Sequence, residues 1–101
     1  MTPESIVKRE VKKVLDEFGI FWWMPTQTRY GINGAPDFVC CWKGRFIGIE
    51  TKAPGREKNT SSNQDRFHDS IRLAGGMVLV TSSADELREW LTDVGTAWGL
   101  I

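Results

Sequence analysis

Two kinds of segment are missing from this 101-residue chain. It has no run of about eighteen apolar residues that could span a bilayer, and no basic stretch followed by an apolar core of the kind that directs secretion. These absences predict a soluble protein of the cytoplasm. Cysteine is scarce: the two residues, Cys40 and Cys41, stand side by side in an apolar run. Neighbouring side chains of a strand point to opposite faces, so the pair suits neither a framework disulfide nor a zinc site. With four prolines, no repeat and 41% hydrophobic content, the composition is that of one folded domain over residues 1–101. A net charge of zero argues against coating nucleic acid by bulk electrostatics. The charge is nevertheless uneven. Residues 84–101 hold four acids against Arg88, a balance of −3, so the preceding residues carry +3 and are where a polyanion should meet the chain.

Hydrophobic spacing predicts helix, strand, hairpin, helix, strand, helix. Thr2 can cap a first helix with Pro3 at its first position; Val7, Val11, Val14, Leu15 and Phe18 form its apolar stripe, and Gly19 ends it. Phe21 to Met24 reads as a short strand and Pro25 to Ala35 as a loop. Ala53 to Asn63 is a second polar loop, followed by a helix from about Ser62 to Ala74 with Phe67, Ile71 and Ala74 facing inward. Gly75-Gly76 stops that helix before Met77 to Thr81, a strand expected to be buried on both faces. Ser83 and Glu86 form a capping box for a last helix carrying Leu87, Trp90 and Leu91. The apolar tail Trp98, Leu100, Ile101 is expected to pack, and the five tryptophans are assigned to core or interface rather than to base stacking.

The chemistry lies in the middle of the chain. A two-residue turn at Lys43-Gly44 folds the segment from Pro36 to Lys52 into a hairpin in which Asp37 lies opposite Glu50, Val39 opposite Gly48 and Cys41 opposite Phe46. Phe38, Cys40, Trp42, Ile47 and Ile49 then share the other face and build core. Like charges directly across a ladder are destabilising, so a pair of acids kept there beside Lys52 points to a bound cation. A hard ion such as Mg²⁺ prefers carboxylate and carbonyl oxygens, which Asp37, Glu50 and the backbone carbonyl of Thr51 can supply. Such an ion polarises a phosphodiester and lowers the pKa of an attacking water. Lys52 can orient that water or offset charge on the phosphate.

The run Gly34-Ala35-Pro36-Asp37, followed thirteen positions after Asp37 by Glu50-Thr51-Lys52, resembles the PD-(D/E)XK nuclease signature. Its setting resembles the restriction-endonuclease-like αβββαβ core of that superfamily: a central mixed sheet flanked by helices, here with an extra C-terminal helix. The G-x-P-D entry, the segment Gly44 to Lys52, Gln64 and the junction Ala74-Gly75-Gly76-Met77-Val78 are similar to the small stand-alone VRR-NUC branch, found free in phages and bacteria. The resemblance implies a Mg²⁺- or Mn²⁺-dependent endodeoxyribonuclease acting on branched DNA such as four-way junctions, as a homodimer, in the cytoplasm of a bacterial or phage-infected cell.

That family often adds an acid from the first helix. Glu4 lies nearer the centre of the apolar stripe than Glu10 and is the first candidate, as a metal ligand directly or through water; an acid in a first turn is also favoured by the helix dipole. Gln64 can contact the bound water or the phosphate, and Ser61-x-x-Gln64 is equally a capping box. Arg29 and Tyr30, in the loop before Asp37, together with Arg56, Lys58, Lys8 and His68, are the candidate DNA contacts. Two other readings compete: a DNA-binding or assembly module of the same fold without catalysis, and a structural protein in which Lys52 merely neutralises two acids. Under the metal reading, Asp37→Ala abolishes cleavage while stability without metal rises or holds.

Overall fold

Thr2 begins the first helix as foreseen: its hydroxyl accepts the backbone N–H of Ser5 at 3.1 Å, and Pro3 needs no intrahelical partner. The computed structural model describes residues 1–26 and 33–101. Helix α1 runs over Pro3–Glu17 and buries Val7, Val11, Val14 and Leu15. Burying each of those side chains contributes about 1.5–3 kcal/mol before entropy. Strand β1 is Phe21–Trp23, one residue shorter than the sequence suggests. It is followed by β2, Phe38–Trp42, and β3, Arg45–Thr51. Helix α2 covers Ser62–Leu73, β4 covers Met77–Thr81, and α3 covers Ala84–Ala97.

The hairpin closes at Lys43-Gly44, where both residues have positive φ (47° and 86°), the requirement of a two-residue primed turn. Its register pairs Phe38 with Ile49, Val39 with Gly48 and Cys41 with Phe46. β1 joins β2 antiparallel and β4 joins β3 parallel, in the order β1-β2-β3-β4, with α2 as the crossover. The element order is the αβββαβ core with α3 appended.

The alternation of the hairpin divides the molecule into layers. Phe38, Cys40, Trp42, Ile47 and Ile49 join the buried stripe of α1 and Leu87 and Leu91 of α3 in one core. On the other face α2 comes close to the sheet: a Cβ on Gly48 would lie 2.9 Å from Pro36 Cγ and 3.2 Å from Ile71 Cδ1. Cys40 is buried and Cys41 exposed, both as free thiols.

Two expectations about packing are corrected, and that of a packed tail holds. β4 is half-buried over Met77–Val80 rather than buried on both faces, because it is an edge strand. Ala74 is exposed, lying past the last turn of α2, and His68 takes the inward place beside Ile71. The tail folds back on its own chain. Leu100 is buried, its carbonyl accepts Lys43 Nζ at 2.6 Å, and Arg45 lies over the Trp98 ring at 3.9 Å. Lys43 and Arg45 are thereby engaged at the turn end of the hairpin, away from the acids.

Candidate active site

Asp37 and Glu50 follow Phe38–Ile49 in the same register, one step beyond the last paired residues. A two-residue turn makes Trp42 and Arg45 a hydrogen-bonded pair; by alternation Asp37 and Glu50 form a non-bonded pair, the kind whose side chains approach more closely. Glu50 is 3% exposed. Burial first, then hydrogen bonding and charge repulsion from Asp37, push its carboxyl up to about 8; Lys52 and Lys8 oppose that rise only in part. Its Oε2 is buried with no hydrogen-bond partner. An orphaned carboxylate oxygen beside a second carboxylate is what a cation-binding site presents when the ion is left out of account.

Asp37 is held from behind. Its Oδ2 accepts the Thr51 N–H at 2.9 Å and the Thr51 hydroxyl at 2.7 Å. Thr51 is fully buried, so the two donors depend on Asp37. In an extended strand the N–H and C=O of one residue face the same neighbour. The Thr51 carbonyl therefore turns toward the Asp37 side, and Pro36, next in register, has no N–H to offer it. The donor set of Asp37, Glu50 and this carbonyl is all oxygen and fits Mg²⁺ or Mn²⁺.

Lys52 extends β3 by one residue; its N–H bonds the Thr81 carbonyl at 3.0 Å, tying it to β4. Its ammonium donates to Gln64 Oε1 at 3.2 Å. That oxygen also accepts the Ser61 N–H at 3.0 Å, while Ser61 Oγ accepts the Gln64 N–H at 3.1 Å. The capping box read from the sequence thus coexists, in one side chain, with a contact to the lysine that the sequence reading did not include. Gly34, with φ of 90°, lets the loop before Asp37 touch the start of α2: a Cβ there would overlap the Asn63 carbonyl and lie 2.8 Å from Gln64 N.

The remaining candidates separate. Glu4 is 44% exposed and its carboxylate lies 3.5 Å from Lys8, which stands between it and Asp37. Among the described residues no three His, Cys, Asp or Glu side chains converge on a metal position, so Glu4 does not complete a three-acid cluster. Glu10 pairs with Arg9 and Lys13 at 3.3 Å each on the helix surface. Lys8, expected to face DNA, is 3.8 Å from Asp37 Oδ2. His68 is 2% exposed and so is not placed to touch a phosphate; burial pulls its pKa down, and its Nε2 has no partner. Arg56 and Lys58 are exposed on the loop after β3. Arg29 and Tyr30 lie outside the described residues.

Lys8 beside Asp37 and the Thr51 hydroxyl beneath it are the site residues that the sequence reading did not place. The only signal for the lysine was its spacing of four from Glu4. A groove of about 560 Å³ lies elsewhere, between α1 and the start of α3, and neither Asp37 nor Glu50 lines it.

No family model matches the sequence, and no curated protein matches it. A solved structure described as a VRR_NUC domain is similar over 92% of this chain and 97% of its own, with a TM-score of 0.71 and 24% identity. The chain therefore has the VRR-NUC, restriction-endonuclease-like fold that its motifs resembled. Among the described residues no helix is long and apolar enough to cross a membrane.

Proposed function

We propose that this fold carries a Mg²⁺- or Mn²⁺-dependent endodeoxyribonuclease that hydrolyses phosphodiester bonds in branched DNA, four-way junctions above all. The observation that carries the reading is the buried, unpartnered oxygen of Glu50 facing Asp37 at the end of a hairpin. Its support comes also from the fold shared with a VRR_NUC domain. Asp37, Glu50 and the Thr51 carbonyl would hold the ion. The chemistry that an ion supplies there is polarisation of the scissile phosphate and acidification of water.

Each protein group then has one task. The Thr51 N–H and hydroxyl fix the Asp37 carboxylate by committing its Oδ2 to the scaffold. Gln64 keeps the Lys52 ammonium within reach of the acid pair, where it offsets charge building on the phosphate oxygens. Arg56 and Lys58 offer exposed cations to the flanking phosphates. A homodimer suits a four-way junction, since a two-fold pair of sites can cut opposed strands together. The exposed Phe21 and Trp23 of edge strand β1 give such a dimer an apolar surface.

The test is cleavage of a labelled four-way junction, a flap, single-stranded DNA and plain duplex by the wild type and Asp37→Asn, with Mg²⁺, Mn²⁺ or EDTA. Paired incisions of the junction that need metal and Asp37 are the expected result. Binding to all four DNAs without cutting under any metal would instead make this a DNA-binding module.

A further inference from the structure

Lys8 is placed where a helix-surface lysine has no need to be. It follows Glu4 by one turn of α1, its side chain is 27% exposed, and its ammonium lies 3.5 Å from Glu4 Oε1 and 3.8 Å from Asp37 Oδ2. Among the described residues it is the one cation ion-paired with either acid of the site: Lys52 is hydrogen-bonded to Gln64, and Glu50 has no ion pair. Both lysines reach Glu50 only through the field. Of the two acids, Asp37 alone is held directly against an ammonium.

A divalent ion entering this half-buried group meets an ammonium already resting on one of its ligands, and like charges a few ångströms apart repel strongly where water screens poorly. Glu4 is the neighbouring acceptor, already within reach of the same nitrogen.

We propose that Lys8 is an internal counter-ion that competes with the divalent cation for Asp37, and that Glu4 is the second acceptor which draws the ammonium aside when the ion binds. This rests on the metal reading above and deepens it: Glu4 acts on the site through Lys8 and not as a ligand. The pair sets how much free metal the site needs, keeping Asp37 neutralised below that level.

The experiment is a titration of Mn²⁺ into the full chain, with free ion read by electron paramagnetic resonance, for the wild type, Asp37→Asn, Lys8→Met, Glu4→Gln and the Lys8→Met/Glu4→Gln double variant. Lys8→Met should bind Mn²⁺ about tenfold more tightly than the wild type, and unfold at a lower temperature in EDTA. Glu4→Gln, a change at a half-exposed position that keeps the fold, should weaken Mn²⁺ binding severalfold by leaving Lys8 only Asp37 to pair with. In the double variant that weakening should vanish, because the pair acts as one unit. Mn²⁺ binding lost in Asp37→Asn but unchanged or weaker in Lys8→Met would overturn the counter-ion while leaving the metal site standing. Glu4→Gln weakening the site equally with Lys8 absent would make Glu4 a direct ligand and overturn the exchange. No Mn²⁺ binding by any variant would remove both this inference and the reading beneath it.

Discussion

Lys52 Nζ and Ser61 N–H converge on one atom, Gln64 Oε1, at 3.2 and 3.0 Å. The amide that closes the cap of α2 is also the group that positions the lysine of the acid site. Helix start and chemistry are thereby fastened to each other.

Replacing that amide should separate the two duties. Gln64→Ala removes half of a capping box, a loss of about 0.5–1 kcal/mol, and frees Lys52 to swing into solvent. Cleavage should fall at least tenfold while the thermal midpoint drops only by a few degrees. Gln64→Glu keeps both acceptors and should retain the full midpoint. A turnover assay alongside thermal circular dichroism checks this, and a large loss of fold in Gln64→Ala would refute it.

Glu50 gives the molecule a pH dependence. Its carboxyl is raised from 4.5 to about 8 in the folded state, so between those values the native protein binds more protons than the unfolded chain. Stability without metal must therefore fall as pH rises through roughly 5 to 8, by at most a few kcal/mol. Glu50→Gln should flatten that slope and be the more stable protein at pH 8. Denaturant melts in EDTA at several pH values test the sign.

The same proton should be counted during metal binding. At pH 7 Glu50 is largely protonated, so taking up Mg²⁺ or Mn²⁺ should release close to one proton. Calorimetry in buffers of different ionisation enthalpy measures that number. A value near zero would mean that Glu50 stays outside the coordination sphere.

Asp37 needs a gentler probe than alanine. Asp37→Ala leaves the buried N–H and hydroxyl of Thr51 without their acceptor, at a cost of about 1–3 kcal/mol each. The geometry thus revises the expectation that stability would rise or hold. Asp37→Asn keeps an oxygen for Thr51 and removes the charge; it should lose cleavage by a thousandfold or more and melt within a few degrees of the wild type.

Gly34 predicts a longer-range effect. Alanine there meets the Asn63 carbonyl and the Gln64 nitrogen, at a φ of 90° that L-residues rarely adopt. Gly34→Ala should destabilise by about 2 kcal/mol or more and push the start of α2 away. Gly55→Ala, at a similar φ but with open space around it, should cost about 1 kcal/mol and leave cleavage alone.

What the sequence made legible follows the range of the forces involved. Lys43-Gly44 dictates its own turn, and from it the register that faces Asp37 with Glu50 can be counted residue by residue. Thr2 and Ser61 cap by contacts three residues away. Periodicity assigns a face to a residue but not its neighbour. His68 reads as a candidate DNA contact, and nothing local shows that it is closed off from solvent. Lys8 looks like any helix lysine until α1 is laid over the end of the sheet. The half-burial of β4 follows from its being the outer strand of the sheet among the described residues, a fact about sheet order rather than about Met77 to Thr81 themselves.

The hairpin turn of Lys43 and Gly44 also has a kinetic meaning. Because Asp37 and Glu50 belong to one local element, contact order predicts that they meet when that hairpin zips, ahead of the parallel pairing of β4. The repulsion between them is met early in refolding, when Lys8 has not yet been delivered by the first helix. Neutralising either acid should consequently speed the refolding limb of a chevron more than it slows unfolding. The residues of the site would then help set how fast this protein acquires its shape.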